Sequence, residues 1–135
     1  ARAVTADDSQ TVHALLTRLG YLPDPERFAP DDLLEQIRIA GDWYLQSGFR
    51  RLSPGYIAEV IERGSSPRAA HFDAMRHQTI PPQALLIRRM EGMVMSVLGD
   101  LRAGADWHAL GAEYWEDAPP STPLGEQDAH FWGSP

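Results

Sequence analysis

The chain has 135 residues, 43% hydrophobic and 23% charged, which suits one globular unit with a single core and argues against disorder. Cysteine, lysine and asparagine do not occur, which excludes disulfides, thiolate metal sites, and the lysine and asparagine that hold nucleotide phosphates and metal in kinases. The net charge is −7, and residues 103–135 hold six acids and no arginine, so a concentrated basic face for nucleic acid is not expected.

Taken in chain order, the first helix is predicted from about Asp7 to Leu19. Val12, Leu15, Leu16 and Leu19 share one face, and Gly20 stands where a left-handed cap is wanted. Three prolines make Tyr21–Pro30 a connector. A second helix starts near Asp32, where Asp32 and Glu35 have capping-box spacing, and ends at Gly48; Gly41 inside it suggests the approach of another helix. Ser53-Pro54 and Ser66-Pro67 mark two further starts, separated at Gly64, with the second helix near Ala69, Phe72 and Met75.

Gln83–Arg102 carries the strongest periodicity. Leu86, Met90, Met93, Val97 and Leu101 recur every three or four residues, so this is predicted to be the central and most buried helix. Gly92, Ser96 and Gly99 offer a small-residue surface for a neighbouring helix, and Gly104 is placed as the cap. A last helix starts at Asp106. The expectation is an all-α, compact bundle of five to six helices over residues 1–116. An irregular tail over 117–135 packs on it or extends from it, with Phe131 and Trp132 closing the core. No alternating strand pattern and no apolar run of about 20 residues occurs. A cytoplasmic chain, or one peripheral to the membrane, is expected. The lack of an initiator Met predicts processing or a longer parent.

The chemistry-bearing residues are few. The five histidines lack the i, i+4 spacing of a helical metal site; His71 and His77 are six apart. The acidic pairs Asp7-Asp8 and Asp31-Asp32 sit at helix starts, where they favour the helix dipole without acid–base work. No G-x-S-x-G or G-x-G-x-x-G occurs. No catalytic, metal or cofactor-binding residue is therefore assigned. Residues 50–89 hold seven arginines against three acids. Such arginines serve as solvated helix faces, as partners for the acidic tail, or as a docking surface for an acidic domain. Arg50, Arg51, Arg88 and Arg89, with the aromatic Trp107 and Trp115, are the candidate docking residues. An alternative is an apolar pocket among Trp43, Met90, Met93, Met95 and Trp107 that would take a small molecule such as an isoprenoid lipid.

Two stretches carry a family resemblance: Asp7-Asp8 followed by VHALLTRLGYL (12–22), and IPPQALLIRRMEGMVMSVLGDLRAGADW (80–107). They resemble the C-terminal helical region of the UbiB/AarF-like atypical kinase family. That region has a leucine-rich helix ending in an L-G-aromatic step. Later comes a proline-led P-x-x-L-L-I-x-R helix, with Arg89 at or next to the family arginine, then a Leu-x-Ala step. The resemblance implies a protein-kinase-like parent that binds ATP and magnesium and is associated with isoprenoid quinone metabolism. The family's nucleotide-contacting motifs and its membrane-embedding hairpin are not in this chain. It is thus expected to be a non-catalytic domain or remnant supporting an upstream kinase-like part or a protein partner, with ATP and magnesium implied only for a longer parent.

Overall fold

Caps and prolines start the helices close to where the sequence places them. In the computed structural model, whose described residues are 1–65, 67 and 71–133, a short α1 (Arg2–Thr5) turns through Asp7 into α2 (Ser9–Arg18). Asp8 caps α2, its carboxylate accepting the Thr11 N–H at 2.9 Å and the Thr11 hydroxyl at 2.6 Å. Gly20 ends the helix with φ 84°. Tyr21 N–H bonds Leu16 C=O and Gly20 N–H bonds Thr17 C=O, a Schellman closure.

After a 3₁₀ turn (Pro25–Arg27), α3 (Pro30–Leu45) begins on Pro30 itself. Asp32 is thus inside the first turn and the expected capping box does not form, since the N-cap is Ala29 without a side-chain bond. The helix ends at Leu45, with Gln46 already extended as its cap, short of Gly48. The crowding at Gly41 comes from its own helix: a Cβ there would meet Tyr44 and Leu45 at 2.8–2.9 Å.

A two-residue strand β1 (Arg50–Arg51) leads to α4 (Pro54–Ser65), capped by Ser53 Oγ accepting from Tyr56 N–H. This helix runs through Gly64, where a break was expected. Ser66, Arg68 and Ala69 lie outside the described residues, so the second Ser-Pro start does too. There follow α5 (Phe72–Met75), α6 (Pro82–Asp100), β2 (Gly104–Ala105), α7 (Trp107–Trp115) and α8 (Pro123–Gly133). β1 and β2 pair antiparallel, Arg50 opposite Ala105.

The chain is all-α apart from this ladder, and the described residues form eight α-helices instead of five or six. The additions are α1 and α8. Much of the tail expected to be irregular is therefore an eleven-residue helix, started by Thr122, whose hydroxyl accepts from Gly125 N–H. The expected closure of the core by the tail does not occur: Phe131 and Trp132 stack edge to face on each other and stay exposed.

Three small cores hold the unit. Val4, Val12 and Leu34 join α1, α2 and α3; Leu22, Phe28 and Leu33 close the connector against α3. Leu52, Ile57, Val60 and Met95 join α4 to α6, with Trp43 and Trp107 packed against them. α3 is the hub, contacting α1, α2, α4 and α7. α6 was expected to be central and is instead peripheral. It packs mainly on α4 and buries only Met95 and Gly99. Gly99 is the one small residue of the expected stripe that works as a close contact: a Cβ there would press on Ile57 at 2.9 Å, whereas at Gly92 it would meet nothing within 4 Å.

Candidate docking surface

The six candidate residues do not form one patch. Arg50 lies inside a polar cluster between α3 and α4. Its Nη1 donates to Asp42 Oδ2 at 2.7 Å and to Tyr56 Oη at 2.8 Å, and its side chain is 27% exposed. These bonds, the Asp42 one first, raise the Arg50 pKa above its ordinary value. Its carbonyl accepts the Trp107 indole N–H at 2.9 Å, and Trp107 stacks edge-on to Trp43. Arg50 and Trp107 thus meet each other and hold the fold together. Arg51 is exposed, lies over the Phe49 ring and donates to the Arg102 carbonyl. Trp115 is half-buried beside Tyr44, its indole N–H unpaired among the described residues.

Arg88 and Arg89 are exposed on α6. Arg88 pairs with Glu91 at 3.1 Å, and Arg89 has no ion-pair partner among the described residues. Both lie on α6, whose outer face carries a signal that periodicity finds but assigns to the core. Leu86, Ile87, Met90, Met93, Val94, Val97 and Leu101 are between 53% and 72% exposed. At 100° per residue they fall within an arc of about 120°, the width of a stripe that normally faces a core. Seven large apolar side chains, each more than half exposed, thus stand side by side on one helix, a contiguous patch of the kind that marks an interaction surface.

The proposed apolar pocket is split by the same helix. Met95, Trp43 and Trp107 are in the α4–α6 core, while Met90 and Met93 stand on the outer face. A separate cleft of about 410 Å³ opens between α1, α3 and α7. Its charged groups are already engaged: Arg38 pairs with Asp7 at 2.9 Å and Asp42 with Arg50. Among the described residues no cluster of three or more His, Asp or Glu could hold a metal ion. No helix among them is long and apolar enough to cross a membrane.

Two acids missed as site residues do clear electrostatic work. Asp106 caps α7 through Ala109 N–H at 3.0 Å and also accepts Gly48 N–H at 2.9 Å, so its carboxyl is held below the usual range. Glu113 accepts from the Ser121 hydroxyl and N–H, which lower its pKa and tie the segment before α8 to α7. Comparison of the chain with known family models, curated proteins and solved structures gives no match.

Proposed function

We propose that this chain is a non-catalytic helical docking domain that works through the outer face of α6. The observation that carries this reading is the seven-residue apolar stripe left open to solvent on the longest helix. Water around so much apolar surface is costly, so a partner that covers it gains free energy on binding. Because that stripe lies in the stretch resembling the UbiB/AarF-like C-terminal region, the proposal includes a parent of that kind. Any ATP and magnesium chemistry would then belong to an upstream kinase-like part, in a cytoplasmic or membrane-peripheral protein that does not bind nucleic acid.

Two measurements test it. Calorimetric titration with ATP and magnesium is expected to give no heat; binding at micromolar affinity overturns the non-catalytic assignment. At a concentration where the chain is single, Met93→Glu is expected to fold with an unchanged urea midpoint, because the residue is already 68% exposed. A variant that fails to fold would show that the stripe belongs to this chain's own core, and the docking reading is lost. A lipid co-purifying with the chain in native mass spectrometry would replace docking by the apolar small-molecule reading.

A further inference from the structure

Resting on that docking reading, we infer that the occupant of the α6 face is a second copy of this chain, its α6 lying antiparallel to the first. A two-fold axis passing between Met93 and Val94 pairs residues whose numbers add to a constant. Leu86 then faces Leu101 of the other copy, Met90 faces Val97, and Met93 faces Val94. In these three pairs both partners are exposed apolar residues of the stripe, and Ile87 comes opposite Asp100. The face is its own complement, as an isologous interface requires.

Charge gives the second argument. Arg89 and Asp100 are both exposed, and neither has an ion-pair partner among the described residues. Three helical turns separate them, which puts them within about 20° of each other on the same edge of the stripe. A two-fold axis keeps each edge on its own side, so Arg89 of one copy lies beside Asp100 of the other, and the pair occurs twice. A parallel two-fold instead sets this edge of one helix against the opposite edge of the other, so Arg89 and Asp100 of the two copies do not meet. Antiparallel pairing is the arrangement that brings these two unpaired charges together.

Light scattering on the intact chain tests the association. A mass near twice 15.0 kDa is expected at about 100 µM, falling to the single-chain mass in Met93→Glu with at least about a 100-fold weaker dimer. A chain that stays at the single-chain mass throughout, or a dimer indifferent to Met93→Glu, overturns the inference. Orientation is tested with introduced thiols, since the chain has none of its own. Leu86→Cys mixed with Leu101→Cys is expected to form an inter-chain disulfide, whereas Leu86→Cys alone is not, its two copies being roughly 20 Å apart along the helix. The reverse pattern overturns the antiparallel register. Reversing one charge by Arg89→Asp is expected to weaken the dimer about tenfold, and adding Asp100→Arg to restore it; failure to restore overturns the pairing. A monomer whose Met93→Glu variant folds normally removes the second copy but leaves the docking face standing. A Met93→Glu chain that unfolds removes both.

Discussion

α3 and α6 are the two longest helices, and their apolar stripes look alike in sequence, yet they meet opposite fates. α3 lies among four neighbours and buries Leu33 and Leu34 to 2% and 5% exposure. α6 leans on α4 along one edge and leaves its broad stripe in water. The difference teaches that a stripe of period 3.6 states a demand for cover without naming its source. For α3 the source is the same chain. For α6 the described residues of the chain do not supply it.

Substitutions on the two helices can break this contrast. Leu33→Ala should cost about 3 kcal/mol, lost transfer energy plus a cavity, whereas Met93→Ala should stay within about 0.5 kcal/mol, both read from urea unfolding of the single chain. Equal costs would erase the distinction between core and docking helix. A test on α7 sharpens the boundary of the hub. A Cβ at Gly111 would overlap the Trp115 ring, so Gly111→Ala should destabilise by about 2 kcal/mol and change the tryptophan emission.

The cap that fixes α7 to the hub has a smaller and pH-dependent effect. Asp106→Ala should cost about 1 kcal/mol at neutral pH. In the wild type the folded pKa is depressed, so the stabilisation is present above the unfolded value of about 3.9 and is lost as pH falls through the folded value. The variant should therefore lose less stability on acidification, measured as urea midpoints across that range. The smallest effects concern two helix ends of the same form. Arg102 closes α6 as Gly20 closes α2: its φ is 50°, with Ala103 N–H on Leu98 C=O and Arg102 N–H on Gly99 C=O. Arg102→Gly should stabilise by about 0.5 kcal/mol, and Gly20→Ala should destabilise by about 1 kcal/mol.

The helical character of the chain was readable because its signals are local: the Ser53-Pro54 start, the Gly20 stop and the stripes of α2 and α3. The α6 cap was misplaced on Gly104 because a Schellman closure normally advertises itself by glycine, and here an arginine takes the left-handed position. α8 was overlooked although Thr122-Pro123 repeats the Ser53-Pro54 signal; its polar Glu126–Asp128 segment hides the period. At the site, Arg88 and Arg89 stand exposed on α6. The Arg50–Asp42–Tyr56 cluster was not legible, because three side chains from two helices and a strand meet only after folding. Which side of α6 faces water is likewise decided by the location of α4, something no window of α6 contains.

The slight β1–β2 ladder bears on how the chain tolerates changes of length. Together with the Trp107 and Arg51 side-chain bonds, it clasps points 57 and 51 residues apart, so everything from α4 to α6 is an excursion that leaves and returns at one place. Closure entropy grows only with the logarithm of such an excursion, and doubling it would cost merely about 0.6 kcal/mol. A change of length inside that excursion is therefore cheap in closure entropy, provided that the α3–α4 contacts tying it to the hub are kept.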